Sequence, residues 1–112
     1  MIVNLKPLSI NKAWQGRRFK TQDYKDYEEA LLWKLKGQKK IPGWYHIRFD
    51  FYIKSYKTSD LSNLIKATED CIVKAGLVDD DRFCKSMTIE KHNSNRDYFK
   101  FVIEGVEDEE KK

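Results

Sequence analysis

The stretch S-D-L-S-N-L-I-K-A-T-E-D-C-I-V-K-A-G-L-V-D-D-D-R, residues 59–82, decides how this chain is read. Leu61, Leu64, Ile65, Thr68, Cys71, Ile72 and Ala75 recur at helical spacing and form one apolar stripe. Ser62, Lys66 and Asp70 are four apart, so they drift only about 40° per step and share another face. Gly76 ends the helix, because glycine takes the left-handed conformation that closes it. Leu77-Val78 then leads into Asp79, Asp80 and Asp81. Carboxylates gathered on a scaffold suit a hard divalent cation such as Mg²⁺. In a chain of net charge +4 and pI near 9.0, that combination points to phosphate chemistry on nucleic acid.

Spacing limits what these acids share. Asp60 heads the helix and Asp70 lies about 15 Å further along it at ~1.5 Å per residue, so both cannot bind one ion directly. If the chain after the helix runs beside the helix start, one of the three consecutive aspartates meets Asp60. Three adjacent like charges repel and call for relief by a cation, by Arg82 or Lys85, or by solvent. A solvated acidic turn is the other reading of the same run. Lys66 also reads two ways. It makes an i,i+4 pair with Asp70, worth ~0.2–0.5 kcal/mol, or it projects into the acid site to stabilise a phosphorane-like transition state.

Around this stretch the pattern is that of a small α+β domain. Residues 2–6 read as a short strand stopped by Pro7. Residues 9–21, S-I-N-K-A-W-Q-G-R-R-F-K-T, read as a loop in which Lys12, Arg17, Arg18 and Lys20 interleave with Trp14 and Phe19. That mixture suits nucleic acid, with cations on phosphates and rings on exposed bases, or it anchors the loop to the core. Thr21 is the expected N-cap of a helix that buries Tyr24, Tyr27, Leu31 and Leu35 and ends at Gly37. A connector, residues 38–43, carries Lys39 and Lys40.

Residues 44–54 alternate cleanly, with Tyr45, Ile47, Phe49, Phe51 and Ile53 on one face and His46 on the polar one, where it reads as structural or exposed. A third strand follows around Met87 and Ile89. A turn at residues 92–96 then leads to a fourth strand with Phe99, Phe101 and Ile103, expected to form a hairpin with the third. The order β-α-β-α-β-β predicts a mixed four-stranded sheet with two helices packed on it. Residues 1–106 form the expected single domain, and 107–112 a charged flexible tail.

Composition excludes other classes. No run of 18 apolar residues offers a membrane span, and the N-terminus has no signal-peptide core. Cys71 and Cys84 have no metal-type spacing and read as reduced thiols of a cytosolic protein. Residues 1–57 hold 13 Lys/Arg against 5 Asp/Glu, whereas residues 58–112 hold 9 against 13. A basic front beside an acidic back fits a polyanion-binding surface next to a metal site.

These residues carry a resemblance. D-L-S-N-L-I-K-A-T-E-D-C-I-V-K-A-G-L-V-D-D-D resembles the signature of the RusA family of Holliday junction resolvases, D-x-D-N-x-x-K-x-x-x-D-x-L followed by a short gap, G and a D-D pair. The upstream N-K-A-W and G-R-R-F-K-T resemble the family's entry segment, and the likeness spans about residues 3–103. It implies a symmetric homodimer, bacterial or phage-encoded and cytoplasmic, that binds four-way DNA junctions and nicks two opposed strands with Mg²⁺ or Mn²⁺.

By position, Asp60 and Asp81 match metal-site residues, with Asp80 also expected at the metal; Lys66 matches the essential lysine, and Asn63 and Asp70 match further motif positions. Lys12, Arg17, Arg18, Lys20, Lys39 and Lys40 are then the expected DNA-backbone contacts. The chain departs from the pattern at Ser62, where the family has its second aspartate. A hydroxyl is a weaker Mg²⁺ ligand than a carboxylate, which lowers the expected metal affinity unless Asp79 compensates. The alternatives are a junction-binding protein disarmed at Ser62 and a basic interaction module without catalysis.

Overall fold

The computed structural model describes residues 1–9, 14–15 and 19–109. Its elements in chain order are β1 (Ile2–Val3), β2 (Trp14–Gln15), β3 (Phe19–Lys20), α1 (Gln22–Leu35), β4 (Tyr45–Ile53), α2 (Lys66–Lys74), β5 (Cys84–Asn93) and β6 (Tyr98–Gly105). Four strands form one mixed sheet in the order β1-β6-β4-β5, and two helices cover one face of it, as the α+β reading expects. The short β2 and β3 pair antiparallel in a ribbon of their own, where the sequence suggests only a loop. β1 is shorter than the expected residues 2–6.

β4 is the spine. Its alternation buries Tyr45, Ile47, Phe49, Phe51 and Ile53 against the helices. Thr21 caps α1 by accepting a hydrogen bond from the Tyr24 N–H at 3.2 Å. α1 then packs Tyr24, Tyr27, Leu31 and Leu35 onto the core beside Ala67, Thr68, Cys71 and Ile72 of α2. The buried Tyr27 hydroxyl pairs with the Thr68 hydroxyl at 2.7 Å, joining the helices through a satisfied polar contact.

Two expectations need correction. The third and fourth strands are not a hairpin: β6 pairs antiparallel with β4, and β5 pairs parallel with β4 on its other side. The cause is the core. Phe99 and Phe101 of β6 pack on Phe51 and Phe49, with centroids 5.7 and 6.2 Å apart, whereas β5 offers only the half-buried Met87 and Ile89. β4 therefore takes β6 as its antiparallel neighbour. The link at residues 94–97 crosses two strand spacings, about 9.6 Å, which four extended residues span. The Ser94 N–H donates to the Ile53 carbonyl at 3.2 Å, and the Asp97 carboxylate accepts from the Lys54 N–H at 2.9 Å.

The second correction concerns the central helix. It begins with a separate 3-10 turn at Leu61–Leu64, where the Asn63 N–H donates to the Asp60 carbonyl at 3.1 Å, and becomes α-helical only at Lys66. Ser62 and Asn63 have short polar side chains that compete with helical hydrogen bonding. The tighter winding places Ser62 outside the four-residue register with Lys66. At the other end Gly76, with φ +79°, closes α2, as expected.

The sheet face away from the helices is polar. Arg48 grips Asp50 through two bonds of 3.0 Å, His92 Nε2 lies 2.8 Å from Asp50, and Tyr98, Tyr52 and His92 stack across three strands. His46 belongs to this face and pairs with the Ser86 hydroxyl at 2.6 Å.

Candidate active site

Lys66, the first residue of α2, points its ammonium at two acids. Its Nζ is 3.1 Å from Asp70 Oδ1, one helical turn on, and 3.8 Å from Asp81 Oδ2, on the segment between α2 and β5. Glu69 joins them: carboxylate oxygens of Glu69, Asp70 and Asp81 lie within 4.8 Å of one another. Lys66 thus makes the i,i+4 pair with Asp70 and also reaches the acid group through Asp81.

The three consecutive aspartates separate because their backbone is extended and turning. Asp80 has φ −166° and ψ 152°, and extended backbone sends successive side chains to opposite sides. Asp79 turns away from α2, bonded to Lys40 at 2.7 Å and to the Gly43 N–H at 3.0 Å. Asp80 accepts from the Arg82 N–H at 3.2 Å and so caps the 3-10 turn Asp81–Phe83. Asp81 alone of the three joins the acid group.

The electrostatics follow from these contacts. Burial, then the Asp81 charge, push the Glu69 carboxyl above its ordinary range. The hydrogen bond with Asp70 raises the Lys66 ammonium, against the opposing effect of burial. Tyr45, at the start of β4, has its hydroxyl raised by burial first and then by the nearby Cys84, Glu69 and Asp81. It pairs with the Cys84 side chain, whose Sγ also donates to the Ser86 carbonyl at 3.4 Å. The Cys84 thiol is raised by burial and by Glu69. Both cysteines are free thiols, and burial pushes Cys71 up to about 12.

A hard divalent cation fits the donor set. Three carboxylates supply oxygen ligands, and their mutual repulsion, already visible at Glu69, is what a cation relieves.

Asp60 is not in this group. It stands at the head of the 3-10 turn, its Oδ2 3.5 Å from Asn63 Nδ2, and lines a cleft of about 500 Å³ with Lys6, Ser9, Asp23, Ser55 and Asn63. At ~1.5–2.0 Å per residue, about 10 Å of axial rise separates it from Lys66. Ser62 is exposed on the same turn.

Of the expected DNA contacts, Lys12, Arg17 and Arg18 lie outside the described residues. Lys20 bonds Glu28 at 2.8 Å and sits 4.7 Å from the Tyr24 ring centroid, and Lys74 holds the other Glu28 oxygen. Burial favours the protonated Glu28, but hydrogen bonds from Lys20 and Lys74 win and hold its carboxyl below the ordinary range. Lys39 is exposed, and Lys40 is engaged by Asp79.

Sequence reasoning passed over Glu69, although it lies three residues after Lys66, at a spacing that brings side chains together on a helix. The Tyr45–Cys84 pair had no such signal, because parallel pairing of β4 with β5 creates it. Among the described residues no helix is long and apolar enough to cross a membrane.

No curated protein matches the chain. The family model described as endodeoxyribonuclease RusA matches residues 7–103 of the 112. That span includes the acid group, Lys66, Asp60 and the whole sheet except β1 and the end of β6. With Lys66 meeting two of three clustered carboxylates inside the matched region, the chain belongs to the RusA family, whose members are endodeoxyribonucleases that act on Holliday junctions.

Proposed function

We propose that the protein is a divalent-metal-dependent endonuclease that resolves four-way DNA junctions by paired, symmetric nicks. The observation that carries this reading is the meeting of Lys66 with Asp81 beside Glu69 and Asp70. The bound cation, Mg²⁺ or Mn²⁺, would polarise the scissile phosphate and lower the pKa of an attacking water. Asp81, with Glu69 and Asp70, would hold it through carboxylate oxygens. Asp60, matched by motif to a metal-site residue, belongs to this reading as a separate carboxylate lining its own cleft.

Lys66 exchanges its contact with Asp81 for a non-bridging phosphate oxygen and offsets the charge that grows there. Asp70, 3.1 Å from Nζ, keeps the ammonium protonated and aimed. Asp80 holds Asp81 in place by capping its turn. Arg17, Arg18, Lys12, Lys20, Lys39 and Lys40 supply phosphate contacts. Two copies acting as a homodimer match the two-fold character of a junction and the need for two cuts. Residues 1–106 would form the catalytic domain and 107–112 its tail, in the cytoplasm of a bacterium or a phage-infected cell.

A second reading, junction binding with impaired cleavage, is favoured by Ser62, which stands where the family signature has an aspartate. A labelled junction incubated with Mg²⁺, Mn²⁺ or EDTA separates the two. Paired nicks that need metal support resolution. A shifted band without nicks supports binding alone, and restored cutting by Ser62→Asp would assign the loss to that position.

A further inference from the structure

The acid run continues into Arg82 and Phe83, and the function assigned to Asp81 leaves those two residues without a role. The turn Asp81–Phe83 winds three residues per revolution, so its side chains leave in three directions. Asp81 faces Lys66. Phe83 meets Trp44 edge to face, with centroids 5.4 Å apart and planes at 87°. The Arg82 guanidinium carbon lies 4.8 Å from the Phe83 centroid. Both rings are half-buried, Phe83 with one side against the core, and Arg82 is exposed.

The same acid run fixes the far side of this group. Asp79 holds the Gly43 N–H and Lys40, which seats Trp44 opposite Phe83. Gly43, with φ +71°, makes that approach possible, since a side chain there would be strained. The surface is therefore two half-open rings with Arg82 beside them and Lys39, Lys40 and Lys85 on the flanking segments. It starts at the residue that follows the active-site carboxylate Asp81.

We propose that Trp44, Phe83 and Arg82 form a shelf that receives a nucleobase of the bound DNA next to the phosphate to be cut. The inference rests on the nuclease reading above and adds a base contact to it. Aromatic rings accept any base by stacking, and a guanidinium beside them pairs with the neighbouring phosphate while covering ring surface. A site built this way needs a base free to leave its stack, as bases at the exchange point of a junction are. It contributes binding and placement of the strand, and it takes no part in bond breaking.

The test couples protein and DNA changes. Binding is measured for the full chain on intact four-way junctions and on junctions carrying one abasic nucleotide, moved stepwise through the positions flanking the cut. Phe83→Leu keeps an apolar side chain of similar bulk but removes the ring, and should weaken binding to the intact junction about 10-fold. At one abasic position parent and Phe83→Leu should bind equally, because the base that the ring would hold is gone. Phe83→Tyr should behave as the parent, and Trp44→Leu should repeat the Phe83→Leu pattern. Melting temperatures show that each variant is folded. If the parent cuts junctions but Phe83→Leu binds as tightly as the parent, or loses the same factor at every abasic position, the shelf is wrong and the nuclease reading stands. A parent that binds no junction overturns both.

Discussion

Replacing Glu69 by Gln should stabilise the metal-free protein and weaken its response to Mg²⁺. Carboxylate oxygens of Glu69, Asp70 and Asp81 lie within 4.8 Å of one another. Two unit charges at that separation repel by about 3.5 kcal/mol at an effective dielectric of ~20 and by about 0.9 kcal/mol in bulk water. Asp81 and Asp70 are 42% and 33% exposed, and Lys66 sits 3.8 and 3.1 Å from them respectively, so the lower figure governs. A gain of about 1 kcal/mol follows for Glu69→Gln without metal, equivalent to roughly 4 °C in melting temperature.

The parent, at Mg²⁺ about tenfold above its Kd, should gain about 1.4 kcal/mol from the ion, and the variant at the same concentration clearly less. The pH response has a definite sign. Glu69 titrates above its ordinary value in the folded state, so its contribution is fully present below the unfolded carboxyl value. It is lost as pH rises through the folded value, and Glu69→Gln should flatten the fall. Thermal melts in EDTA and in Mg²⁺, from pH 4 to pH 8, read all of this. A variant that melts below the parent in EDTA and keeps the full Mg²⁺ shift would show that Glu69 is not part of a repulsive, ion-accepting group.

Other expectations are simpler to check. Lys66→Met should lower the nicking rate by about 10²–10³-fold in single-turnover assays while leaving junction binding nearly unchanged, as for loss of a group that acts in the transition state. Glu28→Gln should release Lys20 and Lys74 and tighten DNA binding in gel shifts. It should also remove an acid-sensitive contribution, because Glu28 titrates below its ordinary value and its stabilisation is lost as pH falls. Thr68→Val should cost about 1–2 kcal/mol in urea unfolding, since the buried Tyr27 hydroxyl loses its 2.7 Å partner.

Alternation and periodicity made most of the architecture legible. Tyr45 to Ile53 alternates as a half-buried strand must, and Tyr24, Tyr27, Leu31 and Leu35 mark the buried side of α1. What the sequence does not carry is which strands become neighbours. Met87, Ile89, Phe99, Phe101 and Ile103 look like a hairpin when read locally. The non-local packing of four phenylalanines instead places β6 and β5 on opposite sides of β4.

The acid site divides along the same line. Lys66, Asp70 and Glu69 follow from helix spacing, but the arrival of Asp81 beside them depends on the crossover between parallel strands. That same crossover sorts the three aspartates, sending Asp79 to Lys40 and using Asp80 as a cap. Asp60 illustrates the converse: motif position groups it with Asp81, while it stands at the head of the 3-10 turn and lines a cleft whose lining does not include Glu69, Asp70 or Asp81.

The most direct test of the account is cleavage of a labelled synthetic four-way junction by the parent and by Asp81→Asn, with Mg²⁺ or EDTA, on denaturing gels. The parent should make paired, symmetric nicks in Mg²⁺ and none in EDTA, and Asp81→Asn should make none above background although it still shifts the junction. Cutting by Asp81→Asn at the parent rate would contradict the account.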